Sequence, residues 1–141
     1  MNLQKIMNAM NDSMKDQRSK YHLTLGDMIE KLKTFPKDSR VIVDFNTRTI
    51  GNAMSYRGYY SDLSFDTVDD VVITVKEFLE LCEESLGDTF TGYKGGDFYM
   101  DENTPLWIAE YGSCGRAIVD LRHERDVLYI VTKEIKEKRD E

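Results

Sequence analysis

Ile73–Gly87, ITVKEFLELCEESLG, decides the fold class. Thr74 and Glu77 stand at the spacing of a capping box, in which the threonine oxygen takes the N–H three residues on and the acid answers the threonine's own N–H. Phe78, Leu81, Cys82 and Leu86 follow at three- and four-residue intervals, one apolar face of a helix. Gly87 supplies a residue that turns left-handed without strain and ends the helix. The same grammar opens His22–Ser39, HLTLGDMIEKLKTFPKDS: Thr24 as N-cap, Asp27 three residues on, then Leu25, Met28, Ile29 and Leu32 on one face. Phe35-Pro36 ends it. The two starts, LTLGDMIEKL and ITVKEFLELC, superpose at an offset of 50 residues. The shared chemistry of any capped helix accounts for that match as well as a duplication does.

Between and after the helices the chain reads as strand. Arg40–Phe45, RVIVDF, is short, apolar and rich in β-branched residues. Asn46–Met54, NTRTIGNAM, reads as a loop, and Tyr56–Asp66, YRGYYSDLSFD, as a strand whose phase Gly58 shifts. DFYM (97–100), PLWIAEYG (105–112), RAIVDL (116–121) and VLYIVTKE (127–134) are further strands, with SCG and RHERD as turns. This order predicts an α+β fold, with two capped helices (24–35 and 74–86) packed on a mainly antiparallel sheet. An N-terminal amphipathic helix is added by Leu3, Met7, Met10 and Met14, with Ile6 alongside. The expected division is a helical arm at 1–20, one α+β ligand-binding domain at 21–133, and a charged tail at 134–141. The apolar face of the arm packs either on its own domain or on a second subunit.

Charge narrows the function. Nineteen Lys and Arg against 26 Asp and Glu leave a net charge of −7. Without a basic block outside the termini, such a chain repels long DNA or RNA. A small anion remains open, since two or three cations in one cleft hold it against an acidic whole. No run of about 18 apolar residues is present to span a membrane, and the N-terminal stretch lacks the unbroken apolar core of a signal peptide, so a cytoplasmic location is expected. Cys82 falls on a helix and Cys114 in a turn, neither in a paired metal spacing.

Two segments carry the candidate chemistry. Ser55–Leu63, SYRGYYSDL, sets Tyr56, Tyr59 and Tyr60 around Arg57 and Gly58. Phe90–Asp101, FTGYKGGDFYMD, repeats the recipe with Phe90, Tyr93, Lys94, Phe98, Tyr99 and Asp101. Aromatic faces beside a cation stack on a base, worth roughly 1–3 kcal/mol per ring. The arginine fork suits a pair of phosphate oxygens, and lysine serves as a point charge. The plain alternative for Arg57 is a surface arginine lying on Tyr59. Arg116, just past the GSCG turn, is a third cation. Taken together these features point to a pocket for something flat and anionic.

Other chemistries have less behind them. His22 and His123 stand in no metal spacing, although Asp62, Asp97, Asp101 and Glu110 could converge as a carboxylate site. YGSCGRA mimics a nucleophile elbow but lies between two strands rather than between strand and helix. GYKGGD lacks both the spacing of a phosphate loop and a following helix.

TLGDMIEKLKTFPKDS, SYRGYYSDL, TFTGYKGGDFYMDENTPLWIAEYG and GRAIV together resemble the first-described Thoeris anti-defence family of phage proteins, over roughly residues 22–121. The resemblance implies a non-enzymatic binder without a cofactor. Such a protein sequesters a cyclic ADP-ribose isomer made by a bacterial TIR-domain immune protein, as a homodimer or higher assembly. It also implies ligand roles for Arg57 and Arg116, and for Phe90, Tyr93, Lys94, Tyr99 and Asp101. A metal-dependent nucleotide hydrolase and an acidic inhibitor of a host protein are the alternatives.

Overall fold

The computed structural model describes residues 21–56, 59–92, 95–111 and 114–134, without the side chains of Tyr59, Tyr60, Glu110, Tyr111 and Cys114. The expected arm at 1–20 and nearly all of the charged tail lie outside these residues.

Both capping boxes are formed. Helix α1 (Leu25–Leu32) starts at Thr24, whose Oγ1 accepts the Asp27 N–H at 3.2 Å while Asp27 Oδ2 accepts the Thr24 N–H at 3.1 Å. Helix α2 (Val75–Ser85) starts at Thr74, paired in the same way with Glu77. Gly87, at φ 82, closes it, and its N–H donates to the Met100 carbonyl at 2.7 Å.

The strands are β1 (Arg40–Val43), β2 (Thr49–Tyr56), β3 (Tyr59–Val68), β4 (Thr89–Thr91), β5 (Asp97–Tyr99), β6 (Leu106–Tyr111), β7 (Cys114–Glu124) and β8 (Val127–Lys133). Six form one sheet in the order β1-β8-β7-β6-β3-β2, and β4 with β5 forms a separate hairpin. The α+β expectation of helices on a mainly antiparallel sheet is overturned. The sheet is mixed, with β1 parallel to β8 and β3 parallel to β6, and strand dominates over helix. A parallel neighbour cannot be reached through a tight turn. Between β3 and β6 the chain therefore passes through α2 and the β4–β5 hairpin. Local pattern carries the elements but not the direction of partners distant in sequence.

Asn46–Met54 is corrected as well, since β2 occupies most of that expected loop. Gly51 and Asn52, which read as breakers, mark a register shift. Asp66 fills the space a Cβ at Gly51 would need, and its Oδ1 accepts the Asn52 N–H.

The two edge strands meet. A flat six-stranded sheet would hold its edges roughly 24 Å apart at about 4.8 Å per step. Here the Val43 N–H donates to the Arg48 carbonyl at 2.8 Å, and Thr49 Oγ1 donates to the Val41 carbonyl at 2.7 Å. The sheet is therefore curled toward a barrel. Inside the curl lie Val41, Ile50, Leu63, Phe65, Leu106, Ile108, Ile118 and Leu128, with Met28 and Leu32 of α1 and Phe78 of α2. Phe65 meets Phe78 edge to face, ring centroids 5.2 Å apart. Val127–Lys133 follows β7 through Arg125 and Asp126, a two-residue turn with Arg125 at φ 56.

Candidate functional site

Register defines a second face. Leu63 pairs with Leu106 and Ser64 with Trp107 across β3 and β6. Leu63, Leu106 and Ile108 enter the core; alternation therefore turns Trp107 outward, on the side of Ser64 and Asp62. On β7 its partner is Ala117.

Trp107 is nonetheless only 4% exposed, because a stack covers it. The Tyr56 ring lies on the indole at 4.3 Å with 4° between planes. His22 meets the indole edge-on at 4.5 Å, and its Nδ1 lies 3.0 Å from the Leu106 carbonyl. The indole N–H donates to Asp62 Oδ2 at 2.8 Å, and Asp62 is fully buried. This bond gives the carboxylate a donor in a place where an unpaired charge would be strongly unfavourable.

Tyr56 is the last residue of β2, three strands away from β7, yet its ring also reaches Gly115 on β7. A Cβ at Gly115 would come within 2.7 Å of Tyr56 Cε1 and of its hydroxyl. The bend comes from the register. Ser55 pairs with Leu63 and Tyr56 with Tyr59, so β3 spends three extra residues, 60–62, opposite none on β2. Such a bulge bends a ribbon, and the Tyr56 ring at the end of β2 lies over the second face. SYRGYY and CGRA are thereby brought together through Tyr56 and Gly115.

The remaining expected residues are placed as follows. Arg57, Tyr93 and Lys94 lie outside the described residues, and of Tyr59 only the backbone, paired with Tyr56, is described. Phe90 and Phe98 pair across β4 and β5 and pack half-buried against the core. Tyr99 is 59% exposed. Asp101 organises the turn that follows it: Oδ1 accepts the Asn103 N–H at 2.9 Å and the Thr104 hydroxyl at 3.3 Å. Arg116 pairs with the core-facing Ile108, on the side away from Tyr56. Its Nε–H donates to Thr132 Oγ1 at 2.9 Å, its guanidinium covers Phe45 at 4.8 Å, and the Thr132 hydroxyl donates to Asp44 Oδ1 at 2.7 Å.

Among the described residues no three His, Cys, Asp or Glu side chains gather as a metal site. Two clefts among them suit an anion poorly. One, about 330 Å³, is rimmed by Asp27, Glu30 and Glu102. The other, about 370 Å³, sets Arg40 against Asp69 and Asp70. No described helix is long and apolar enough to cross a membrane.

From the sequence, Trp107 is one residue of an expected strand, His22 has no assigned role, and Asp62 is one of four acids of a carboxylate site. Trp107 stands in the run Leu106-Trp107-Ile108, whose unbroken apolarity hides which face each residue takes. Gly115, expected in the SCG turn, lies instead within β7 paired with Ala109, and a strand glycine marks a close approach. Compared with protein families, curated proteins and solved structures, the chain matches none.

Proposed function

We propose that the protein is a non-catalytic binder that sequesters a small cyclic nucleotide signal at the tip of β2–β3. The observation that supports this reading most is the Tyr56–Trp107 stack, tied down by Asp62 and seated on Gly115. It fixes the residue immediately before Arg57. A cation presented from a rigid base loses little entropy on binding, and that favours a phosphate contact. Tyr56 itself is 6% exposed, so it acts as the base of the site; stacking is assigned to Tyr93 and Tyr99 of the second aromatic segment, with Lys94 as the second cation.

The resemblance to the Thoeris anti-defence family supplies the ligand class, a cyclic ADP-ribose isomer, and the setting, the cytoplasm of an infected bacterium. The stripe Leu3, Ile6, Met7, Met10 and Met14 supports assembly as a homodimer or larger, because an apolar face on a terminal arm is readily exchanged between copies. Incubating the protein with a nucleotide-signal extract, washing and boiling it tests the reading. Release of an unchanged cyclic nucleotide is expected. Conversion of the ligand that requires Mg²⁺ or Mn²⁺ would replace it with the hydrolase.

A further inference from the structure

Val71 and Val72 are 52% and 57% exposed, more than any other aliphatic side chain among the described residues. They stand in the segment that joins β3 to α2 and runs antiparallel to β1. Around the Arg40–Thr74 bridge, the Val41 N–H donates to the Ile73 carbonyl at 2.8 Å and the Val75 N–H to the Ser39 carbonyl at 2.9 Å. Ile73 therefore turns its backbone groups toward β1, and alternation turns those of Val72 off the edge of the sheet. Neither valine makes a backbone hydrogen bond within the described residues. An extended, β-branched stretch with unpaired backbone groups is a template for another strand.

We infer that Val71–Ile73 is the edge at which a second copy of this chain adds as an antiparallel strand, about a two-fold axis at Val72. In that register Val72 exchanges both backbone hydrogen bonds with its counterpart, and Asp70 stands opposite Thr74 of the second copy. Charge selects a second copy over a foreign strand. Thr74 bridges to Arg40, so Asp70 of one copy lies two strand spacings, roughly 10 Å, from Arg40 of the other. The two side chains close that gap between them. Asp70 and Arg40 are both exposed and line one cleft, yet neither forms an ion pair within the described residues. Asp69, by contrast, is held by Arg48 at 3.3 Å, and Glu77, beside Thr74, is engaged in its capping box. Two-fold symmetry makes the Asp70–Arg40 contact twice. Neither the nucleotide nor the N-terminal arm takes part in this interface.

Light scattering on the full chain at matched concentrations, with thermal unfolding alongside, tests it in wild type, Val72→Lys, Arg40→Glu and Arg40→Glu/Asp70→Lys. Wild type should be a dimer or a multiple of one. Val72→Lys sets like charges against each other at the axis and should halve the mass, while unfolding close to the wild-type temperature because the side chain is exposed. Arg40→Glu should lower the mass, and adding Asp70→Lys should restore it. Should Val72→Lys unfold early, the charge exchange decides alone. A monomeric wild type, or a double exchange that restores nothing, would overturn the inference. An undiminished mass in a folded Val72→Lys would overturn it too, and would leave assembly to the N-terminal arm.

Discussion

Tyr56 and Trp107, 51 positions apart in the chain, lie face to face with ring centroids 4.3 Å apart and planes within 4°. That pair packs the end of β2 onto β6, with β3 between them in the sheet. Trp107 is the chain's single tryptophan, so its emission reports the stack directly. Tyr56→Ala should shift the emission to the red and lower stability by about 3–5 kcal/mol, the range for deleting a large buried ring. Urea denaturation followed at the tryptophan band measures both. Asp62→Ala should lower stability by about 1–3 kcal/mol, because it leaves the buried indole N–H unpaired.

Gly115 should tolerate no side chain while Tyr56 is present. A Cβ there would sit 2.7 Å from the tyrosine ring and 2.9 Å from the Ile108 carbonyl. The first neighbour can be deleted, the second cannot. Gly115→Ala should therefore destabilise by roughly 1–3 kcal/mol. In a Tyr56→Ala background its effect should shrink without vanishing. A double-mutant cycle in urea gives the coupling, and strict additivity would mean that the ring does not rest on Gly115.

Arg116 should behave as a structural arginine. Its bond to Thr132 and its cover over Phe45 lie on the side of β7 away from Tyr56. Arg116→Ala should cost about 1–3 kcal/mol of stability and leave ligand affinity within about twofold of wild type, a difference of roughly 0.4 kcal/mol. A large affinity loss at unchanged stability would return Arg116 to the site.

Cys82 should be chemically silent. It is fully buried, and that burial, with the nearby Glu83 charge adding to it, pushes its thiol far above the usual cysteine range. The thiolate is the reactive form. In a Cys114→Ser variant, a thiol reagent at pH 8 should label nothing in the folded protein and one thiol after unfolding in guanidinium.

Capping boxes, the residues they serve and most strands were legible because each is a matter of a few neighbouring residues. Thr24 with Asp27 and Thr74 with Glu77 act within one turn. The sheet's direction was not legible. Arg40–Val43 pairs in parallel with Val127–Ile130, and nothing in either segment names the other. β2 was hidden by Gly51 and Asn52, whose loop chemistry serves a bulge capped by Asp66. At the site, the crowding of tyrosines around Arg57 was visible, but Tyr56 turned out to be a buried support rather than a free ring. Asp62 read as one acid of a possible carboxylate site, and only the partner 45 residues away, Trp107, explains its burial.

Arg57 carries the central claim. Calorimetry of wild type and Arg57→Ala with a cyclic ADP-ribose isomer tests it most directly, alongside urea denaturation of both. Wild type should bind without consuming the ligand. Arg57→Ala should keep its stability and lose roughly tenfold to a hundredfold in affinity, the range expected for one charged hydrogen-bonded contact of about 1.5–3 kcal/mol. Equal affinity for the two proteins would take Arg57 out of the site, and the absence of binding by wild type to any cyclic nucleotide would contradict the account.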